Sequence, residues 1–353
     1  MDLIHPRTKT DVAQALLRAT AQDDKVLVVG GRQHMDRGNP SEVDLELWTT
    51  QLDEVVEYDP AEMIVVVQAG KRVQDLAALL AASGQEWPVD APPGATVGGV
   101  IAAGVSSPRR LRVGHVRDTV VELELVTGDG RLIRSGARTV KNVTGYDVHR
   151  IATGSLGTLG VIVQAALKVR PLPQAATSLR SEGDGLTLGR QLLSAVPMAT
   201  GIAATRGTVE IRLEGWNEEV SELTRLATAP VPGLRPMEGP VAFPSFPPWL
   251  DADADVVVEA AVPPSRVETL VDGLDGWTAL IGVGLVWFCL SGARSPDALA
   301  EIRRRADALG GIAPVIRGPG GPGDTPVPAL EVHRRLKRAF DPGGVLAPGR
   351  LFS

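Results

Sequence analysis

Two glycine-rich loops carry the residues most able to do chemistry. The first reads Gly30-Gly31-Arg32-Gln33-His34-Met35-Asp36-Arg37-Gly38 and follows directly on the apolar run Val26-Leu27-Val28-Val29. The second reads Ala91-Pro92-Pro93-Gly94-Ala95-Thr96-Val97-Gly98-Gly99. A third glycine cluster, Gly154-Ser155-Leu156-Gly157-Thr158-Leu159-Gly160-Val161, closes the same third of the chain. Glycines let backbone N–H groups approach a phosphate with no side chain in the way, and successive amides form an anion-binding nest. Two such loops joined by strands suggest a backbone-lined cavity for a large phosphate-bearing cofactor. The first loop lacks the Gly-x-Gly-x-x-Gly and Gly-x-x-x-x-Gly-Lys spacings of the common nucleotide motifs, and a Gly-Gly pair after a strand also serves as a plain tight turn.

Other chemistry is hard to place. His5, His34, His115, His149 and His333 include no helical i, i+4 pair, and with one cysteine, Cys289, no metal site is visible. Cys289 lies in an apolar run and reads as a buried, inert thiol. Glu122 and Glu124 fall on one face of a strand and read as solvated. His34 and His115 each adjoin a glycine-rich loop, where each could face a cofactor or sit at the surface.

The elements that position these residues follow in order. Asp11 to Gln22 has a helical apolar spacing through Val12, Ala15, Leu16 and Ala19, and Met63 to Gly70 is a buried strand. Val73 to Ser83 is a helix ended by Gly84. Val100-Ile101-Ala102-Ala103-Gly104 is a run of small residues, suited either to passing beneath a planar ring or to a close helix–strand contact. Asp118 to Val126 and Arg131 to Ser135 form a hairpin about Asp129-Gly130, Gly145 to Thr153 a short helix, and Leu159 to Val169 a strand stopped by Pro171 and Pro173. Beyond it, Gln191 to Ala195, Glu218 to Ala227 and Ala298 to Leu309 read as helices, and Val209 to Glu214, Val256 to Ala261 and Leu285 to Leu290 as strands. Arg317 to Gly323 is a Gly-Pro linker, and Ala329 to Phe340 a final helix before a loop-like tail.

At 353 residues, with 44% hydrophobic and 22% charged residues, two domains and a real core are expected. A net charge of -6 argues against general nucleic-acid binding. The N-terminus has no signal-peptide pattern, and Trp277 to Leu290, the longest apolar run, falls short of the about 20 residues of a transmembrane span. A cytoplasmic protein is expected, with docking on the inner face of a membrane through partners.

Several motifs together resemble the flavoproteins of the vanillyl-alcohol-oxidase, or PCMH-type FAD-binding, fold, and among them the smaller FAD-binding subunits of bacterial glycolate oxidases. The resemblance is carried by the loop Gly30 to Gly38, the run Pro92 to Gly104, Ser106-Ser107-Pro108-Arg109-Arg110 and Gly114-His115-Val116-Arg117-Asp118. Lys141-Asn142-Val143-Thr144-Gly145-Tyr146-Asp147, Gly154 to Val161 and the tail Phe340-Asp341-Pro342 to Pro348-Gly349-Arg350 complete it.

The resemblance implies an α+β fold: a two-subdomain PCMH-type FAD-binding domain over residues 1–173, a smaller α+β cap over 174–322 bearing the substrate, and a C-terminal segment, 323–353, returning to the first domain. It implies that Gly30, Gly31, Arg32, Gln33 and His34 hold the FAD pyrophosphate. Ala95, Thr96, Gly98 and Gly99 would line pyrophosphate and ribityl chain, and Gly160 and Val161 would touch the cofactor through backbone atoms. Relatives with covalent flavin carry His where Arg32 stands, so non-covalent FAD is expected. Gln33 takes the place of a usual Ser or Thr with a side-chain donor still to offer, and Ala347 the place of a usual Asn. Related dehydrogenases use a His-rich metal site in the cap that this chain lacks. The implied function is that of an FAD-binding subunit of a glycolate oxidase-like dehydrogenase. It would act on glycolate or another small 2-hydroxy acid and pass electrons to a larger FAD subunit and an iron–sulfur subunit. The alternatives are a non-catalytic subunit keeping the fold, or a stand-alone FAD dehydrogenase of another alcohol or sugar acid.

Overall fold

The computed structural model describes residues 2–138, 147–238, 243, 254–292, 295–318 and 329–351. The Lys141-to-Tyr146 motif and most of the Gly-Pro linker lie outside the described residues. The chain divides into two compact units. The first comprises Met1–Ser107, His115–Leu172 and Val327–Ser353; the second comprises Pro108–Gly114 and Pro173–Pro326.

The first unit holds two sheets. Asp2–Ile4, Leu45–Trp48 and Val26–Val29 form a parallel sheet with Leu45–Trp48 in the centre. The helix Lys9–Gln22 begins on a capping box between Thr8 and Asp11, and it buries Val12, Ala15, Leu16 and Ala19. These side chains join Val26, Leu45, Leu47, Val126, Val161 and Val163 in one apolar cluster.

The second sheet is antiparallel, in the order Val55–Asp59, Ile64–Gln68, Val161–Lys168, Val120–Val126, Leu132–Gly136. Its central strand buries every residue from Val161 to Leu167. Both faces are covered, so apolar residues occupy both faces of the strand rather than alternating, and the one polar residue between Val161 and Leu167, Gln164, accepts from Lys9 Nζ. One face packs on the helices Val73–Ala81 and Val97–Ala103 through Leu76, Leu80, Val97, Val100 and Ile101. The small-residue run is thus a helix, capped by the Thr96 side chain and ended by Gly104 at φ 61°. Glu122 and Glu124 are not solvated: Glu122 pairs with Arg134 and Arg138, and Glu124 with Lys9.

The tail is more than loop. Val345, Leu346 and Ala347 are buried, and Leu346 bridges Val26 in parallel sense at the edge of the first sheet.

In the second unit, eight strands form one antiparallel sheet: Arg235–Pro236, Ala175–Glu182, Thr208–Gly215, Gly201–Ala204, Trp277–Leu280, Leu285–Leu290, Val256–Ala261, Val315–Arg317. Alternation assigns its two faces. Val209, Ile211, Leu213, Val286, Phe288 and Leu290 enter a large core with Leu192, Val220, Leu270 and Ile302 of the helices. The intervening Leu285 and Trp287 join a smaller apolar cluster, while Glu210 and Glu214 carry ion pairs with Arg180, Arg212 and Arg109. Antiparallel sheets with helices set against them make the fold α+β.

Candidate cofactor site

The strand Val26–Val29 delivers the chain into the first glycine loop, and the loop forms one wall of a cleft within the first unit. The cleft is partly open to solvent, with both glycine loops in its lining. Gly30, Gly31, Arg32, Gln33, His34, Ala95, Thr96, Gly98, Gly99 and Gly160 all line it. Val161 does not; it is fully buried in the apolar cluster under the helix Lys9–Gln22.

The reason for each glycine differs. A Cβ on Gly30 would stand 2.3 Å from Thr96 Oγ1, and one on Gly31 would stand 1.9 Å from the Gly94 carbonyl oxygen. These two residues are small because the second loop occupies the space, not because a ligand does. Gly98 is pressed on Ala69, and Gly160 on Leu125, in the same way. Gly99 is different: a Cβ there would meet only Thr96 Oγ1, at 3.0 Å.

The two loops also differ in which amides they leave unspent. At the head of the helix Val97–Ala103, the Val97 amide donates to the Lys71 carbonyl, the Gly98 amide to the Ala69 carbonyl, and the Gly99 amide to Thr96 Oγ1. In the first loop, the amides of Gly31, Arg32 and Gln33 donate no hydrogen bond among the described residues. Three adjacent unspent donors in a cleft wall are a nest for an anion. Gln33, though exposed, folds back on the loop, donating from Nε2 to the Gly31 carbonyl at 3.0 Å.

Sequence reasoning missed several lining residues. Val28, Leu156 and Ile162 add apolar surface to that of Ala102 and Ala103, which belong to the small-residue run already read as suited to a planar ring, and Thr49, Met35 and Gly157 complete the wall. Arg350 was visible only as part of a tail motif. It is 6% exposed, and Nη2 donates to the Met35 carbonyl at 2.9 Å. Burial pushes its pKa down, against the pull of Asp36. The tail is tied to the loop by the Asn39 amide on the Arg350 carbonyl and Ser41 Oγ on the Pro348 carbonyl. His115 caps the short helix Val116–Thr119 through Nδ1 and is not in the cleft wall.

An anion nest, a basic residue and apolar walls suit a cofactor with a diphosphate and a planar ring, as a dinucleotide flavoprotein requires. Residues 3–136 match the family described as an FAD binding domain. Glycolate oxidase subunit GlcE of Escherichia coli is 31% identical over 323 residues, covering 85% of each chain. Glycolate oxidase subunit GlcD of Bacillus subtilis is 24% identical, covering 99% of this chain and 88% of that protein. D-lactate dehydrogenase of Archaeoglobus fulgidus is 32% identical over 50% of this chain and 40% of its own. A solved structure of alkyldihydroxyacetonephosphate synthase superposes with a TM-score of 0.71 at 16% identity, over 98% of this chain and 75% of that one, and shares the fold. The chain belongs to the PCMH-type FAD-binding family of oxidoreductases, and FAD is its cofactor. Among the described residues no cluster of His, Cys, Asp and Glu is arranged for a metal ion, and no helix is long and apolar enough to cross a membrane.

Proposed function

We propose that the chain is an FAD-binding subunit of a glycolate oxidase-like dehydrogenase, acting on glycolate or another small 2-hydroxy acid and handing electrons to a larger FAD subunit and an iron–sulfur subunit. The observation that carries the cofactor assignment is the row of unspent amides at Gly31, Arg32 and Gln33, three residues that line a cleft with apolar walls. The reaction class follows from relatives named as glycolate oxidase subunits and a D-lactate dehydrogenase.

In this reading the first loop and Arg350 hold the diphosphate. Ala95, Thr96, Gly98 and Gly99 wall the ribityl chain, and Leu156, Gly160 and Ile162 flank the ring. Bound FAD supplies the hydride-accepting chemistry. Arg32 in place of a flavin-linking His makes the cofactor non-covalent and releasable by denaturation. The complex would work on the cytoplasmic side, held at the membrane through its partners.

A second reading makes the chain a holder of FAD that supports catalysis elsewhere. His34 is the histidine among the described residues that line the cleft, and in this reading a partner would supply the base. Purification of the native assembly separates the two. A yellow preparation whose isolated chain reduces an artificial acceptor with glycolate supports the first. A chain that binds FAD but turns over only with a larger flavoprotein present establishes the second. Failure to take up FAD at all removes both.

A further inference from the structure

The first loop has an anchor that its own sequence does not show. Arg32 sits at φ 59°, in the left-handed region, and its side chain turns back to the parallel sheet. There Nη1 and Nη2 donate to the two carboxylate oxygens of Glu46, at 2.9 and 3.0 Å. The Glu46 side chain is only 2% exposed, and Oε2 also accepts from Trp48 Nε1 at 2.8 Å. The guanidinium carbon lies 5.3 Å from the centre of the Trp48 ring, and His5 stacks on that ring at 5.9 Å. Glu46 and Trp48 are two residues apart on one strand and so share a sheet face, while Leu45 and Leu47 fill the core on the other.

We infer that the Arg32–Glu46 fork is a clamp that sets the amide row of Gly31 to Gln33, making Arg32 a positioning residue for FAD rather than a cation for its diphosphate. The inference rests on the FAD reading above. A bidentate fork on a carboxylate fixes direction as well as distance, and it holds the middle of the loop, where the three donors are. The same carboxylate offsets the guanidinium charge, so little of it remains for a phosphate.

The two roles differ in sign. If Arg32 acted by charge, Glu46→Gln would release that charge and tighten FAD binding, Arg32→Lys would retain affinity, and Arg32→Met would flatten the salt dependence. As a clamp, Glu46→Gln and Arg32→Met each weaken FAD about tenfold or more, because the loop must then be ordered on binding. Arg32→Lys fails to rescue, since an ammonium has no fork. The double variant is no weaker than the worse single one.

Quenching of flavin fluorescence on the stripped full-length chain, titrated with FAD at several salt concentrations, reads all of these. Trypsin supplies a readout without cofactor: in the stripped chain, cutting after Arg32 should be faster in Glu46→Gln than in the parent. Should Glu46→Gln not fold, Arg32→Lys decides, and parental affinity in it overturns the clamp. Tighter binding by Glu46→Gln overturns it equally. A parent chain that binds no FAD defeats the cofactor reading, whereas unchanged nicking at Arg32 defeats the clamp itself.

Discussion

At the scale of single residues, the cleft depends on side chains that are absent. Gly31 has the Gly94 carbonyl oxygen 1.9 Å from where its Cβ would be. Gly31→Ala should therefore push the two loops apart, costing about 1–3 kcal/mol of stability as overpacking does, with FAD affinity falling roughly tenfold or more at about 1.4 kcal/mol per decade. Gly84→Ala is the control: Gly84 has φ 66° and nothing within 4 Å of a Cβ, so it carries backbone strain and should leave FAD binding untouched. Thermal melts and flavin titration of both variants check this, and equal FAD affinity in Gly31→Ala would contradict the packing account. The glycine positions were legible in the sequence, because Gly-Gly after a buried strand is a local signal. What each glycine touches was not, because Gly94 and Thr96 arrive from a distant part of the chain. Glu46 was illegible for the same reason: only the parallel pairing of Leu45–Trp48 with Val26–Val29 brings its carboxylate under the loop.

At the scale of elements, strong apolar runs were read close to their observed bounds, as with Ile64–Gln68 and the hairpin strands Val120–Val126 and Leu132–Gly136. The helix Val97–Ala103 was not read as one, since Gly98 and Gly99 lower helix propensity and tertiary contact with Ala69 overrides it. The strand Ala175–Glu182 was missed because polar residues occupy one of its faces, with Ser178 and Arg180 bonded to Arg212 and Glu210 of the next strand. The helix Leu330–Phe340 was expected, yet none of its residues is fully buried. Phe340 packs half-buried against the core of the antiparallel sheet, and the rest of the helix's hold on the unit is polar. Lys337 Nζ donates to the Thr158 and Leu346 carbonyls and to Asp341, whose buried carboxylate also accepts from the Val345 and Leu346 amides. Lys337→Met leaves that carboxylate without its cation, and removal of one partner of a buried pair costs about 3–5 kcal/mol. Urea unfolding at neutral pH should show a loss of that order, with Lys337→Arg losing less; a variant as stable as the parent would mean that the staple contributes nothing.

At the scale of the whole molecule, the cofactor unit is assembled from separated stretches of one chain. Residues up to 172 supply both glycine loops, but the edge of the parallel sheet is finished by Val345 and Leu346, each fully buried. Fully burying an aliphatic side chain is worth about 1.5–3 kcal/mol, and a domain has only about 5–15 kcal/mol of net stability. A chain ending at residue 172 thus exposes an apolar edge, loses Arg350 from the cleft and lacks the bonds that hold Asn39 and Ser41. It should melt well below the parent and take up no FAD. Supplying residues 327–353, joined through a flexible Gly-Ser segment in place of 173–326, should restore a cooperative melt and flavin quenching, since those residues carry the missing sheet edge and the Lys337–Asp341 staple. The same experiment separates holding the cofactor from using it. A restored unit that binds FAD but yields no turnover with glycolate would show that turnover needs the eight-stranded second unit and that holding the cofactor does not. A fragment ending at 172 that binds FAD as the full chain does would show instead that the tail is dispensable to the cleft.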